Sequence, residues 1–511
     1  MSTISVSNLT FGYDGGYTNI FENVSFNIDS NWKLGFIGRN GRGKTTFLNL
    51  LLGKYEYQGT IKSDLIFDYF PFEIKDKSKN SYEIAEEIVP YFETWKLDCE
   101  VSQLGMDLSI LERPFENLSK GEQTRVLLGL LFSKDNNFLL IDEPTNHLDI
   151  EARKIVAEYL NSKKGFILVS HDRHFLDNCI DHVLSINKTN IEVQKGNFSS
   201  WWENKQRQDN FELNQNEKLK GEISRLEKSA RQTANWSDQV EKSKYNIKQG
   251  IAPDKGYIGH KAAKMMKRSL VTRDHKEKAI EEKSKLLKNI ETMEELKISP
   301  TNYRSNKMLE VSNLSIDYGD GDLFDEISFS VNKGDRIELK GKNGSGKSSL
   351  IKLLLGQKIN YIGKLYLPKD LKISYISQDT SHLKGSLKDF ILDNNLDATL
   401  FMSILRKLDF DRKEFDRNIE SYSEGQKKKV LLAKSLSEQA DLYIWDEPLN
   451  YIDIYSRLQI ENLILNYNPT MIFVEHDETF SDKIATDKIE IKKTKIKLKS
   501  WLDSYRYSRI C

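Results

Sequence analysis

Gly38-Arg39-Asn40-Gly41-Arg42-Gly43-Lys44-Thr45 fits the pattern G-x-x-x-x-G-K-[ST], and Gly341-Lys342-Asn343-Gly344-Ser345-Gly346-Lys347-Ser348 fits it again 303 positions on. The first copy follows the apolar run Leu34–Ile37, which reads as a strand, and precedes the apolar run Phe47–Leu52, which reads as a helix. Strand, glycine loop and helix start are the context this pattern requires. Glycines let backbone N–H groups close around phosphate oxygens, and a helix N-terminus favours negative charge there. Gly38, Asn40, Gly41, Gly43 and Thr46, with Gly341, Asn343, Gly344, Gly346 and Ser349, are therefore assigned to the phosphates of a nucleotide. Lys44 and Lys347 are expected on the β- and γ-phosphates, and the hydroxyls of Thr45 and Ser348 on Mg2+.

Three more pairs recur in the same order. LSKGEQTRVLLGLLF at 118–132 answers YSEGQKKKVLLAKSL at 422–436, LLIDEPTNHLD at 139–149 answers YIWDEPLNYID at 443–453, and VSHD at 169–172 answers VEHD at 474–477. With offsets of 303 to 305, one domain of roughly 200 residues occurs twice. Asp142 and Asp446 end apolar strands, Phe138–Ile141 and Leu442–Trp445, where a carboxylate beside the glycine loop suits Mg2+ held through water. Glu143 and Glu447 follow directly and can act as general base toward an attacking water. His171 and His476 come just after the β-rich runs Gly165–Val169 and Met471–Val474, placed to sense a γ-phosphate. Ser119-Lys120-Gly121-Glu122 and Ser423-Glu424-Gly425-Gln426 carry two readings. Both match S-x-x-[EQ], a capping box at a helix start. That leaves Gly121 and Gly425 unexplained, and glycine there implies a close backbone approach. A capped helix start is also an anion site, able to clamp a phosphate presented by another domain.

The 511 residues suggest about three domains. Hydrophobic residues are 38% and charged residues 30%, and no apolar run approaches the roughly 18 residues that span a bilayer, so no membrane domain is expected. The start lacks a basic segment followed by an apolar one, so export is not expected. Cys99, Cys179 and Cys511 are far apart with no metal-ligand spacing, as suits a reducing cytoplasm. Lys and Arg total 76 against 76 Asp and Glu, a balance that first argues against a nucleic-acid partner. The expected division is 1–200 as the first repeat, 201–298 as a helical insert, and 299–511 as the second repeat with a short basic tail. Within the insert, Leu219, Ile223, Leu226 and Ala230, and later Leu286, Ile290 and Met293, step by three and four residues. Those seams predict two long antiparallel helices, Trp201–Lys248 and Gly259–Lys297, around a turn with Gly250, Pro253 and Gly256. A passive coiled-coil spacer is the plain alternative.

In this order, the glycine loop, S-x-G-[EQ], D-E-P and S/E-H-D resemble the ATP-binding-cassette ATPase domain, over both repeats. The resemblance implies an α/β fold of two tandem P-loop ATPase domains that bind ATP and Mg2+ and hydrolyse ATP. It implies head-to-tail closure, with Lys44 facing Ser423 and its Gly425 and Gln426, and Lys347 facing Ser119 with Gly121 and Glu122. It places Tyr13 and Tyr318 where the family stacks adenine; a tyrosine of the strand core is the alternative. Gln378, in ISYISQD, matches the family's Q-loop and would assist Mg2+ and the water. The first repeat offers Phe72 there, in FDYFPFE, which can neither coordinate nor accept a hydrogen bond.

Two cassettes with a helical hairpin between them and no membrane domain resemble the ABC-F class, whose members act on ribosomes. A coiled coil inside one cassette, as in the DNA-repair and chromosome relatives, does not fit. NWKLGFIGRNGRGKTT, LLGLLF, FILVSHDRHF, KAAKMMKRS, KKVLLAKSLS and LYIWDEPLNYID are most similar to the Lsa-type resistance proteins, with the Vga-type group next. That similarity implies binding at the ribosomal exit-tRNA site, with the hairpin near large-subunit rRNA and peptidyl-site tRNA. Lincosamides, pleuromutilins and streptogramin A would be dislodged by a cytoplasmic monomer whose cassettes pair intramolecularly. A housekeeping translation factor is the alternative; such factors carry an extra arm in the first cassette. Here the 47 residues from Phe72 to Ser119 match the 45 from Gln378 to Ser423. Between Lys242 and Arg273, nine basic residues face only Asp254. Lys242, Lys244, Lys248, Lys255, Lys261, Lys264, Lys267 and Arg268, with Tyr257 as a stackable ring, are the expected RNA contacts.

Overall fold

Strands apolar on both faces are the pattern of a parallel sheet covered by helices, and such a sheet forms in each repeat. The computed structural model describes residues 2–13, 19–89, 92–134, 137–146, 148–186, 191–242, 260, 264, 267, 294–298, 300–301, 303–318 and 323–493. Residues 1–199 and 293–511 form one compact unit and 200–292 a second.

In the first repeat the sheet runs Ile66–Phe70, Asn137–Asp142, Phe166–Val169, Lys33–Ile37, His182–Ile186, Ile191–Lys195. The first five strands are parallel and the last pair antiparallel. The second repeat repeats the order with five parallel strands, Ile373–Ile376, Leu442–Asp446, Met471–Val474, Arg336–Lys340, Asp487–Glu490. Each repeat adds a three-stranded antiparallel sheet, centred on Thr3–Phe11 in one and Lys307–Ile316 in the other. Phe47, from the helix after the glycine loop, is fully buried between the layers. Its ring meets Phe26 and Phe36 at 5.6 Å each and Phe21 at 6.2 Å.

This topology puts the chemistry on one edge. The glycine loop leaves strand Lys33–Ile37, His171 follows the adjacent strand Phe166–Val169, and Asp142 ends the strand beyond it. All three lie at carboxyl ends of parallel strands, where open α/β sheets bind ligands. The loop helix begins at Lys44 itself, three residues earlier than the apolar run suggests. Gly43 and Gly346 precede the two loop helices at φ +94° and +99°. A Cβ on Gly43 would lie 2.5 Å from Ile20 and 3.0 Å from Phe21, and one on Gly346 2.7 Å from Leu323 and Phe324. Glycine is required at both by conformation and by space. Both predicted capping boxes form, Ser119 with Glu122 and Ser423 with Gln426.

Phe198–Lys242, nearly all of it in the second unit, is one helix of 45 residues, about 68 Å long at 1.5 Å per residue. It starts three residues before the predicted bound. Lys205–Asp209 and Glu203–Arg207 pair along it at i,i+4. His260, Lys264 and Lys267 are helical. The turn, most of the predicted return helix and the basic tail beyond residue 493 lie outside the described residues, as do Lys244, Lys248, Lys255, Tyr257, Lys261 and Arg268; of Lys242 only the backbone is described. Residues 294–297, at the predicted end of the return helix, are described and are not helical; Leu296 is buried against the second repeat instead. No helix among the described residues is long and apolar enough to cross a membrane.

Phe47→Ala empties a buried site lined by three rings. It is expected to cost about 3–5 kcal/mol, read as an earlier first transition in urea unfolding followed by circular dichroism.

Candidate nucleotide site

Lys44 is buried, and its Nζ donates to the carbonyls of Gly38 at 2.7 Å and Arg39 at 3.1 Å. Lys347 does the same with Gly341 at 2.6 Å and Lys342 at 3.0 Å. Burial lowers the pKa of both, while Asp142, Glu143 and Asp453 pull Lys44 back toward its charged form and Glu447, Asp446 and Asp149 do so for Lys347. Anionic phosphate oxygens are better acceptors for an ammonium than these neutral carbonyls.

The hydroxyl next to each lysine meets the aspartate that ends a strand. Thr45 Oγ1 donates to Asp142 Oδ2 at 3.0 Å, and Ser348 Oγ to Asp446 Oδ2 at 3.2 Å. Burial raises the pKa of both aspartates, Asp446 to about 6. Buried Oδ1 of Asp446 accepts no hydrogen bond from the described residues. A hydroxyl paired with a carboxylate that keeps a buried oxygen unused is a donor set that fits Mg2+, a hard cation taking few protein oxygens.

Glu143 and Glu447 sit at φ +52° and +49°, a pose that is costly for a residue with a Cβ and is repeated in both repeats. Their N–H groups donate to Val169 and Val474 on the neighbouring strand, at 2.9 and 3.0 Å. The carboxylates then diverge. Glu447 Oε2 accepts from Gln378 Nε2 at 2.9 Å and Asn450 Nδ2 at 2.7 Å, and His476 Nε2 lies 3.3 Å from Oε1. Burial opposes its charge, but the His476 bond and the charges of His476, Lys428 and Lys347 outweigh it and hold Glu447 at about 2. Glu143 meets only His171 among the described residues: the His171 backbone N–H bonds the carboxylate and its Nε2 lies 3.4 Å from the buried Oε1, which accepts no hydrogen bond from the described residues. Burial, then the charge of Asp142, pushes it up to about 8. Phe72 stands in register with Gln378, since Phe70 pairs with Ile141 as Ile376 pairs with Trp445.

Residues from both repeats line one cleft of about 1020 Å3. From the first come Tyr13, Asn40, Gly41, Gly43, Lys44, Thr45, Thr46, Asp142, Glu143 and His171, and from the second Ser423, Glu424, Gly425, Gln426 and Tyr451. Asn40 bridges the two repeats: its Nδ2 donates to the Tyr451 carbonyl at 2.9 Å, and its Oδ1 lies 3.1 Å from His171 Nε2. Because the amide nitrogen faces a carbonyl, Oδ1 must accept, so Nε2 of His171 carries the hydrogen. Burial, Lys44 and Arg457 drive the His171 pKa well down, which keeps the ring neutral. Tyr451 is at φ +64°, and a Cβ on Gly425 would meet its carbonyl oxygen at 2.7 Å. The approach inferred from the third-place glycine is therefore real on this side.

Tyr13 and Tyr318 lie beyond their strands and expose 47% and 60% of their surface, so neither is a strand-core tyrosine. Their hydroxyls bond Thr46 at 2.9 Å and Ser349 at 3.2 Å, each beside its glycine loop. Between Lys347 and Ser119 the described contacts are fewer. Lys342 pairs with Glu151 at 2.7 Å, both exposed, where the first loop has Arg39 over the Tyr455 ring at 5.1 Å. His147, the counterpart of Tyr451, lies outside the described residues. Sequence reading passed over Arg39, Asp409, Tyr451, Tyr455 and Arg457. Arg39 and Arg42 approach Asp409 at 3.8 and 3.7 Å, and Arg153 Nη1 donates to the His476 carbonyl at 3.0 Å. Only the arginines in the loop itself could have signalled a partner.

The family model described as ABC transporter matches residues 21–146 and 324–450. The ribosome protection protein VmlR of Bacillus subtilis (strain 168) is 26% identical over 92% of this chain and 84% of its own length. The energy-dependent translational throttle protein EttA of Escherichia coli (strain K12) is 28% identical over 91% and 88%. Among solved structures, the archaeal ribosome recycling factor aABCE1, in complex with the ribosomal stalk protein aP1, shares the fold at TM-score 0.60 and 18% identity, over 97% of this chain and 92% of that one.

Gly425→Ala forces the Tyr451 carbonyl off Asn40; ATP turnover is expected to fall about 10- to 100-fold with the thermal midpoint unchanged. Glu143 gives a second check. The folded carboxyl stays protonated up to about pH 8, whereas the unfolded one ionises near 4.5. Its contribution to stability is therefore full below 4.5 and is lost as pH rises through 8. A neutral amide suffers no such loss, so Glu143→Gln should raise the thermal midpoint more at pH 8.5 than at pH 5; equal shifts would refute the buried acid.

Proposed function

The chain belongs to the ABC-F class of ATP-binding-cassette proteins and is an ATP-hydrolysing P-loop ATPase, and we propose that it uses ATP to bind and release the ribosome. In the ATP-bound state it occupies the exit-tRNA site, and the segment between the cassettes displaces lincosamides, pleuromutilins and streptogramin A from the peptidyl-transferase centre. The observation that carries the reading is the composite cleft, built within one chain from Lys44 on one cassette and Ser423 on the other. Such a cleft makes closure of the pair depend on nucleotide, and the likeness to a ribosome protection protein over 92% of the chain supplies the target.

The residues divide the work. Lys44 and Lys347 leave their loop carbonyls for the phosphates, Ser423 and Ser119 approach from the opposite cassette, and Tyr13 and Tyr318 offer rings to adenine. Thr45 with Asp142, and Ser348 with Asp446 and Gln378, would hold Mg2+, which when bound neutralises phosphate charge. Glu447, ionised and aimed by Gln378 and Asn450, takes a proton from the attacking water, and His476 steadies that carboxylate. Glu143 and His171 occupy the same places in the other cleft, but without the glutamine amide, and Glu143, held protonated, must first ionise before it can do the same work. Lys242, Lys244, Lys248, Lys255, Lys261, Lys264, Lys267 and Arg268 neutralise rRNA and tRNA phosphates, with Tyr257 stacking on a base. Pairing within one chain supports a monomer, and a ribosomal target puts the work in the cytoplasm.

A translation factor acting without drug is the second reading, favoured by 28% identity to EttA. Two outcomes separate them. Glu143→Gln with Glu447→Gln is expected to lower turnover about 100-fold and to trap an ATP-dependent ribosome complex on sucrose gradients; free protein in the presence of ATP would sink the ribosomal reading. Expression should raise the inhibitory concentration of a pleuromutilin and a lincosamide but not of a macrolide. Unchanged susceptibility to all, with a growth phenotype in drug-free medium, selects the translation factor.

A further inference from the structure

The helix Glu424–Ser437 carries three consecutive lysines ahead of an apolar face, and Lys428 among them is 2% exposed. Its Nζ donates to two backbone carbonyls, Ser377 at 3.0 Å and Glu447 at 3.0 Å. Ser377 is the residue before Gln378, and Glu447 is the carboxylate that Gln378 bonds. One ammonium thus ties together the backbone of both partners in that bond. Four acids, Glu475, Glu447, Asp446 and Glu424 in falling order, attract it, while burial opposes its charge.

The first cassette lacks the arrangement. The residue matching Lys428 is Thr124, matching Gln378 is Phe72, and matching Glu475 is Ser170. All three differences fall around a single carboxylate. A threonine hydroxyl has one hydrogen to give, so it cannot hold two carbonyls. Among the described residues Glu143 has no side-chain donor beyond His171, whereas Glu447 has Gln378 and Asn450.

We infer that Lys428 is a positioning residue for hydrolysis at the Lys347 site: it fixes the Gln378 loop against Glu447, making that site the fast one and leaving the Lys44 site to retain nucleotide. Lys428 touches neither the reacting atoms nor the phosphates. It acts by holding two backbone segments in the one spacing at which the amide of Gln378 meets the carboxylate. A mispositioned base costs rate more than substrate binding, because it is needed only in the transition state.

The inference rests on the reading of Glu447 as general base, and the test keeps the two apart. In the full chain with Glu143→Gln, steady-state turnover reports the Lys347 site. There Glu447→Gln must abolish turnover; if it does not, the reading of Glu447 fails. Lys428→Thr, which installs the residue the first cassette already carries, is expected to lower kcat about tenfold with KM for ATP within about twofold. Lys428→Arg, which keeps a charge and several donors, should recover most of kcat. Unchanged kcat in Lys428→Thr overturns the inference, and so does an equal loss in Lys428→Arg and Lys428→Thr accompanied by a lowered thermal midpoint, which marks packing alone. As a further readout, Glu447→Gln in place of Glu143→Gln should leave a slow site whose rate Lys428→Thr does not change; a tenfold loss there also overturns it.

Discussion

The amide of Asn40 links the two cassettes at the Lys44 cleft. One of its ends takes the Tyr451 carbonyl from the opposite cassette and the other takes the hydrogen of His171. Through that single side chain, the distance between two cassettes becomes the orientation of a buried imidazole beside Glu143. Three costly features exist to permit it. Tyr451 adopts a left-handed backbone, Gly425 gives up a side chain, and His171 is buried in its neutral form. Each costs free energy, and the contact across the cassettes is where that cost is used.

The two cassettes share a backbone plan and differ in the chemistry laid on it. Glu143 and Glu447 have the same strained φ and the same strand hydrogen bond, so their positions are equivalent. Their proton affinities lie on opposite sides of neutrality, about 8 and about 2. The difference comes from neighbours, not from the backbone: the bond and charge of His476, then Lys428 and Lys347, outweigh burial at Glu447, whereas burial and the charge of Asp142 prevail at Glu143. A single duplicated fold has in this way become a pair of unequal sites.

Much of this was legible in the residues. The glycine loops, the Asp-Glu pairs and the capping boxes announce themselves because each is a local pattern, closed within about ten residues and governed by strand and helix periodicity. The doubled α/β plan follows from repetition at one offset. Asp409, Tyr451 and Tyr455 carried no such mark. Their importance arises from how the second cassette docks on Arg39, Asn40 and Arg42, and docking depends on the whole surface, not on a period. Lys428 was hidden for another reason: a lysine run reads as solvated charge, and only the register of helix against strand shows that Lys428, like Lys429 beside it, turns inward.

The interface between the cassettes is charged at its centre, and this bears on how it opens. Arg173 meets Glu461 and, at 3.6 Å, Asp477, while Arg457 donates to Asp477 at 3.0 Å; all four side chains are buried. Removing such groups from water costs about as much as their attraction returns. An interface of this kind specifies one docking pose without holding it tightly, unlike an apolar seam of the same size. The surplus that keeps the cassettes closed must then come from something that binds both at once. Phosphates held between Lys44 and Ser423, as proposed, would meet that requirement, and loss of the terminal phosphate on hydrolysis would weaken it, so the same charged centre that selects the pose would also let it go.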